Sequence, residues 1–358
     1  MNLTYYKNLD GVRAIAALMV MVFHFFQDIQ PTTKLVGFLS KISIFGQTGV
    51  TLFFVLSGFL ITRILLATKN TEGFFRNFYL RRTLRIFPLY YLFLVISYYF
   101  IPFITNAETP PFSQQIYYYT YLQNFATTFD WNAIGPKHFW SLAVEEHFYL
   151  FWPLVVYFAS PKNLSKIILA IVIGAMALRA YMFSEGFEVF YFTFTRFDAL
   201  AIGAYLAILE LNKTFTTKNS TKFGISLALL LIPTIIMWTF FTGEGNNYIQ
   251  VFKFFLLAGI YFLAIGLLLS LKENNLINKT LKTRFFLYTG KISYGLYVYH
   301  PLCYMMSGKY FDTNNIITDF IVSVVLTYIV AALSFHLFES SFLKLKKFFE
   351  YNKVEKIK

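Results

Sequence analysis

The sequence predicts an all-α, polytopic integral membrane protein with about ten transmembrane helices and both termini in the cytoplasm. Three observations predict this fold class. Of the 358 residues, 57% are hydrophobic and only 14% are charged, whereas a soluble domain carries about 25% charged residues. Apolar stretches of bilayer length recur from one end of the chain to the other. Lysine and arginine are concentrated in every second connection between those stretches.

Each apolar stretch is long enough to cross about 30 Å of hydrocarbon as an α-helix. None shows the strict alternation of polar and apolar residues that is typical of a transmembrane β-strand. The predicted spans are residues 9–29, 46–67, 84–102, 139–159, 164–183, 193–211, 222–241, 250–271, 285–306 and 317–342.

The distribution of cationic residues predicts the orientation of these spans. When the N-terminus is placed in the cytoplasm, 23 lysines and arginines fall on the cytoplasmic side and five on the outer side. An excess of lysine and arginine is typical of the cytoplasmic loops of membrane proteins. This excess explains most of the net charge of +13. We therefore expect membrane lipid rather than nucleic acid as a partner. The chain then divides into a membrane domain at residues 1–345 and a basic cytoplasmic tail at residues 346–358.

The sequence lacks the motifs of several common kinds of functional site. The single cysteine, Cys303, excludes an internal disulfide. The chain lacks a His-Glu-x-x-His motif and any paired Cys/His spacing, so we expect no metal site. It also lacks the Gly-x-Ser-x-Gly elbow of serine hydrolases and a glycine-rich phosphate loop. Any chemistry is therefore expected to belong to side chains inside the membrane domain.

The first span carries two ionisable residues, Arg13 and His24. Eleven residues of α-helix bring the chain back to within about 20° of the same face and advance it by about 16 Å. Arg13 and His24 should therefore lie on one side of the helix at different depths. Ionisable groups at such positions are costly and usually functional.

Four arginines are predicted to lie near the cytoplasmic side of the bundle: Arg13, Arg63, Arg82 and Arg85. Arg82 and Arg85 are three residues apart and so share a helix face. Two neighbouring guanidinium groups repel each other unless an anion joins them, and their geometry suits phosphate. We therefore expect a phosphorylated ligand there. The alternative is that they are topology anchors that extend to lipid phosphates, which is the interpretation favoured for Arg81.

A second set of polar residues is predicted to lie in the outer half of the bundle, where Glu145, Asp198, Tyr297 and His300 are expected to bound one cavity. Arg196 and Tyr294 are further candidates for binding the substrate. Carboxylates and tyrosines can bind the hydroxyl groups of a carbohydrate. The alternatives are a structural ion pair of Glu145 or Asp198 with Arg196 or Arg179, and a packing role for His300.

Five sequence segments together resemble the membrane-bound acyltransferase family 3, the O-acetyltransferase type that modifies O-antigen, exopolysaccharide and other cell-surface glycans. The segments follow the family's order over nearly the whole chain. They are residues 9–24, 49–60, 78–88, 140–149 and 290–297.

The resemblance implies functional residues and substrates. The family's motif of arginine, ten residues and histidine falls on Arg13 and His24, and its paired arginines fall on Arg82 and Arg85. Residues 1–345 would form the acyltransferase domain, in the stand-alone form without a C-terminal hydrolase-like domain. The expected location is the bacterial cytoplasmic (inner) membrane. The family implies no bound cofactor, acyl-CoA (in the first place acetyl-CoA) as donor and a carbohydrate as acceptor.

The predicted reaction is acyl transfer from cytoplasmic acyl-CoA to a carbohydrate hydroxyl. Arg13, Arg63, Arg82 and Arg85 would hold the donor. His24, assisted by Arg13 and Glu145, would act as a general base or as a transient acyl carrier. The alternative is a transporter or flippase for an anionic glycan or lipid-linked sugar, since intramembrane charges serve transport equally well. A sensor or scaffold has no visible signalling domain to support it. The acceptor, the acyl chain and the oligomeric state stay open.

Overall fold

The computed structural model describes residues 4–240 and 247–351. Within these ranges the protein is all helical, without a β-strand, which confirms the predicted fold class. The α-helices are α1 Lys7–Phe26, α2 Lys34–Ser43, α3 Gly49–Thr68, α4 Phe74–Val95, α5 Ile101–Thr105, α6 Phe112–Tyr119, α7 Gln123–Thr128, α8 Trp140–Phe158, α9 Pro161–Ser184, α10 Phe197–Leu211, α11 Thr217–Phe240, α12 Asn247–Ser270, α13 Leu276–Leu281, α14 Arg284–Tyr310, α15 Ile316–Ser334 and α16 Ser340–Lys344.

Short 3-10 and π-helical turns join several of these helices into longer ones. The 3-10 turn Ile44–Thr48 joins α2 to α3, and the π turn Ile96–Phe100 joins α4 to α5. A second π turn, Phe335–Glu339, joins α15 to α16, and a 3-10 turn, Leu345–Phe349, follows. The helical axis therefore continues through segments that differ in hydrogen-bond spacing.

Seven helical stretches in the described ranges are long and apolar enough to cross a bilayer. They are Lys7–Phe26, Lys34–Thr68, Phe74–Thr105, Pro161–Ser184, Thr217–Met237, Val251–Ser270 and Ile316–Phe349. The protein is therefore polytopic. The remaining three predicted spans fall on α8, α10 and α14. The total of ten spans and the cytoplasmic termini stay predictions.

Close helix contacts build the centre of the bundle. α3 crosses α10 where Gly58 meets Gly203. A Cβ atom on Gly58 would lie 1.9 Å from the carbonyl oxygen of Leu200, and one on Gly203 would lie 2.0 Å from that of Val55. Small residues of this kind let helix backbones approach closely inside membranes. The crossing brings α3 into the centre of the polar interior.

The segment between α5 and α8 contains the longest connection between two predicted spans, residues 103–138. It forms the short helices α6 and α7, which are pinned to the bundle by buried amides. Gln123 donates to the carbonyl of Phe139 at 3.1 Å, and Asn124 donates to that of Trp140 at 3.0 Å. These bonds fix the start of α8, on which several site residues lie.

The C-terminal segment folds back on the bundle. The predicted tail begins at residue 346, and its described part, up to Tyr351, packs against α4. Arg81 donates to the carbonyl oxygens of Lys346 at 3.0 Å and of Phe349 at 3.3 Å. The rest of the predicted tail, residues 352–358, and the end of the predicted span at residue 241 lie outside the described residues. The predicted domain boundary itself stays a prediction.

Candidate active site

Two cavities meet inside the bundle. The first, the arginine cavity, has a volume of about 360 Å³. Its polar lining is Thr4, Tyr5, Arg13, Ser57, Arg63, Arg82, Arg85, Ser141, Glu145, Tyr149, Ser293, Tyr294 and Tyr297. The second, the histidine cavity, has a volume of about 390 Å³. Its polar lining includes His24, Gln27, Gln47, Ser97, Lys137, His138, Tyr191 and Tyr297. Val50 and Tyr297 line both cavities and form the partition between them.

The partition is held by hydrogen bonds. The Tyr297 hydroxyl donates to the backbone carbonyl of His138 at 2.5 Å. Because that proton is used, Ser141 donates its own hydroxyl proton to the Tyr297 oxygen, also at 2.5 Å. Both bonds join α14 to the start of α8. The Tyr297 side chain therefore has a defined position between the two cavities.

The four predicted arginines line the arginine cavity but differ in their partners. Arg13 forms an ion pair with Asp10 on the same helix. Arg63 is bound to Glu210 and also donates to the Thr4 carbonyl at 2.7 Å. Their charges are therefore largely balanced by protein groups.

Arg82 and Arg85 have no carboxylate within ion-pair distance in the part of the chain that the structure describes. The Arg82 guanidinium instead lies 5.6 Å from the ring centre of Tyr149. These two arginines are therefore the cations of this cavity that have no direct acidic partner.

Glu145 lies in the arginine cavity and not in the predicted outer cavity. Ser141, Glu145 and Tyr149 are spaced four residues apart on α8 and all line the arginine cavity. The face of α8 that carries them is therefore turned towards α3 and α4. This spacing is the signal in the sequence for Ser141 and Tyr149, which were not among the predicted site residues. Tyr294 likewise lines the arginine cavity, and only Tyr297 reaches both.

Asp198 and Arg196 line neither cavity, so the predicted shared outer cavity is not formed by these residues. Arg179 and Asp198 form an ion pair with a 2.7 Å separation, and both side chains are 0% exposed. The second Asp198 oxygen accepts from the backbone of Ala199 at 2.8 Å. Arg196 is also buried, at 2% exposure, with its guanidinium 3.7 Å from the ring centre of Phe254. The geometry supports the structural alternative for Asp198.

His300 lies behind His24 and lines neither cavity, although a contact with substrate was predicted. It is fully buried. Its Nε2 lies 3.1 Å from His24 Nδ1, and its Nδ1 lies 2.7 Å from the Tyr297 carbonyl oxygen. His24 Nδ1 is also 3.0 Å from the Val20 carbonyl oxygen. Only His24 of this pair reaches a cavity.

The hydrogen bonds assign the tautomers of both imidazoles. A carbonyl oxygen only accepts, so His300 Nδ1 carries a proton and its Nε2, in the neutral ring, is an acceptor. His24 Nδ1 must then be the donor to His300. His24 Nε2 is left with a lone pair, which is the form that a general base needs.

His138 was not among the predicted site residues, yet it lines the histidine cavity. It precedes α8 in the 3-10 turn Lys137–Phe139. Its Nε2 donates to the Val298 carbonyl at 3.1 Å. Burial and the neighbouring His24 lower the pKa of His138 to about 3, so this imidazole is neutral at physiological pH.

The fold and the cavities define a polytopic membrane protein with a polar interior, in which a cationic cavity and a histidine cavity meet at one tyrosine. The model of the acyltransferase 3 family, described as an acyltransferase domain, matches residues 6–336. The chain therefore belongs to this family, which confirms the resemblance.

Relatives are found in bacteria. The O-acetyltransferase OatA of Staphylococcus aureus is 28% identical over 94% of this chain and 57% of that protein. The peptidoglycan O-acetyltransferase OatA of Listeria monocytogenes is 29% identical over 94% of this chain and 55% of that protein. The chain thus spans a little over half the length of these relatives. No solved structure matches it significantly. The relatives and the apolar helices place this multi-pass protein in the bacterial cytoplasmic membrane.

Proposed function

We propose that this protein is an O-acyltransferase that transfers an acyl group, in the first place acetyl, from cytoplasmic acyl-CoA to a hydroxyl of a cell-surface or exported carbohydrate. The observation that carries the proposal is the pair of cavities that meet at Tyr297 and Val50. One cavity offers unpaired cations and the other offers an imidazole with a free lone pair. Such an arrangement suits a reaction whose two substrates arrive from opposite sides.

The arginine cavity is the proposed donor site. Its free cations, Arg82 and Arg85, suit the phosphates of CoA. The walls between these arginines and the partition include Phe53, Leu60 and Ile61, which suit the uncharged pantetheine arm and the acyl group. Arg13 and Arg63 lie in the same cavity and add positive potential, although each has an acidic partner.

The histidine cavity is the proposed acceptor site. Gln27, Gln47, Lys137 and Tyr191 line it together with His24, and amide, ammonium and phenol groups all bind sugar hydroxyls. The Listeria relative is a peptidoglycan O-acetyltransferase by name. Peptidoglycan is therefore the first carbohydrate to test as acceptor.

His24 is the proposed general base. Its Nε2 would accept the proton of the acceptor hydroxyl while the hydroxyl oxygen bonds to the acyl carbon. The carbon–sulfur bond of the thioester then breaks, and CoA leaves as the thiol after taking that proton. Glu145 lies one helical turn from Ser141 and hence beside the partition. Together with His24, Glu145 and Arg13 are the proposed catalytic residues. The acyl group has to pass Tyr297 in this reaction.

The test uses purified protein, acetyl-CoA with a labelled acetyl group, and peptidoglycan fragments. We expect release of free thiol in step with labelling of the acceptor. His24→Ala should lower the rate by about 10²- to 10⁴-fold, as expected for loss of a general base. His336→Ala is the matched control, because His336 is an exposed histidine that lines neither cavity. A transporter would neither release thiol nor label the acceptor, and that result would contradict the proposal.

A further inference from the structure

A third pocket lies between α1, α4 and the C-terminal segment. We call it the basic pocket. It has a volume of about 140 Å³ and is lined by Arg13, Ile64, Phe78, Arg81, Arg82, Arg85, Lys346 and Tyr351. Arg13, Ile64, Arg82 and Arg85 also line the arginine cavity. A single extended ligand can therefore occupy both spaces.

Five cationic side chains converge on this small volume, and their partners do not balance them. Arg13 has Asp10 as its partner. Arg81 donates to two backbone carbonyls of the C-terminal segment. No carboxylate in the described ranges pairs with Arg82, Arg85 or Lys346. Like charges this close repel each other in a region of low dielectric constant. A ligand with several negative charges would remove that repulsion.

The C-terminal segment is attached to α4 by specific contacts. Besides the two bonds from Arg81, Asn77 donates its side-chain amide to the Glu350 carbonyl at 3.0 Å. The guanidinium of Arg76 lies 5.8 Å from the ring centre of Phe349, and that of Arg81 lies 5.9 Å from the ring centre of Tyr351. The segment thus forms one wall of the basic pocket and places Lys346 in it, together with Arg82 and Arg85.

We propose that the basic pocket binds phosphate groups, and that in the working protein these belong to the nucleotide end of the acyl-CoA donor. Arg82 and Arg85 contact the phosphates from α4, and Lys346 contacts them from the C-terminal segment. Residues 345–351 are then part of the donor site rather than a free tail. This inference rests on the proposed function, because it assigns the nucleotide end of the same donor whose thioester lies in the arginine cavity.

The kinetic test compares two donors that share a thioester and a pantetheine arm. Acetyl-CoA carries phosphates, and acetyl-pantetheine carries none. Lys346→Gln should raise the KM for acetyl-CoA by about 10-fold or more, the effect of losing a hydrogen bond between charged groups, and leave the KM for acetyl-pantetheine unchanged. Lys347→Gln is the matched control, because Lys347 is exposed and does not line the basic pocket. It should change neither value. An unchanged KM for acetyl-CoA in Lys346→Gln, or an equal rise with both donors, would overturn the assignment.

A binding test keeps this inference separate from the proposed function. Lys346→Cys in a Cys303→Ser background is exposed to a charged thiol reagent in nanodiscs of phosphatidylcholine. We expect CoA to protect the cysteine and pantetheine to leave it reactive. Protection by CoA without acetyl transfer in the wild-type protein would support the pocket and contradict the proposed function. If phosphatidylglycerol in the nanodisc protects the cysteine in the absence of CoA, and CoA itself does not, the bound phosphate belongs to lipid. That result would overturn the donor assignment.

Discussion

At the scale of single residues, His24 depends on neighbours that the local sequence does not show. His300 contacts it from a position 276 residues further along the chain. The His300 ring is itself oriented by the Tyr297 carbonyl. His300 Nε2 and the Val20 carbonyl both accept from His24 Nδ1. These two acceptors keep the proton on that nitrogen and leave Nε2 free. We therefore infer that His300 positions His24 and does not touch substrate.

Two substitutions at His300 test this role. The side-chain oxygen of His300→Gln can occupy the place of Nε2 and accept from His24, whereas His300→Phe fills the space without an acceptor. We expect His300→Gln to retain most of kcat and His300→Phe to lower it by about 10²-fold, the lower end of a general-base contribution, with little change in either KM. Equal losses in both variants would instead indicate a packing role.

Asp198 provides a prediction about stability. Removing one partner of a buried ion pair costs about 3–5 kcal/mol, because the remaining charge is left unpaired. Asp198→Asn should therefore lower the Tm of the detergent-solubilised protein markedly. Glu273→Gln is the control. Glu273 pairs with Lys282 at the surface and is 91% exposed, and such pairs contribute about 0–1 kcal/mol. A normal Tm with a raised KM for acceptor would restore the predicted substrate contact of Asp198.

At the scale of helices, the crossing of α3 and α10 determines where the arginine cavity can form. Ser57 precedes Gly58 on α3 and lines that cavity, with its hydroxyl bonded to Tyr149 on α8. The structure assigns packing to Gly58, because its missing Cβ makes room for the Leu200 carbonyl. Ser57 faces the cavity.

Alanine substitutions test this packing. Gly58→Ala and Gly203→Ala should each lower stability by about 1–3 kcal/mol, the usual effect of overpacking, because the added methyl meets backbone that cannot rotate away. Gly174→Ala on α9 is the control, since a Cβ there has nothing within 4 Å and alanine favours helix. Thermal unfolding in detergent provides the measurement. If all three variants had the same Tm, the contact between α3 and α10 would accommodate the added methyl groups without loss of stability, and the prediction would be wrong.

At the scale of the whole molecule, the proposed reaction requires the two cavities to open on opposite sides of the membrane. The positive-inside bias predicts which side is which. Lys137 lines the histidine cavity and is expected outside. Lys279 lies on α13 and is expected in the cytoplasm. Both side chains are exposed.

Cysteine labelling in intact cells checks this orientation in a Cys303→Ser background. An impermeant thiol reagent should modify Lys137→Cys directly and Lys279→Cys only after permeabilisation. The parent without cysteine should remain unlabelled. The reverse pattern would invert the topology and place the histidine cavity on the cytoplasmic side.

The sequence by itself determined the local features of this protein. Helical stretches, their apolar character and the family motifs depend on residues close together in the chain. The placement of Arg13 and His24 on α1 also follows from helical geometry alone, and the structure puts them in different cavities at different depths.

Only the tertiary structure decided which polar residues meet. Glu145 lies with the arginines, Asp198 pairs with Arg179, His300 lies behind His24, and Lys346 returns to α4. Each contact depends on how a helix is rotated about its axis relative to helices distant in sequence. In a membrane that rotation leaves little trace in the pattern of apolar residues, because lipid chains and the bundle interior are equally apolar.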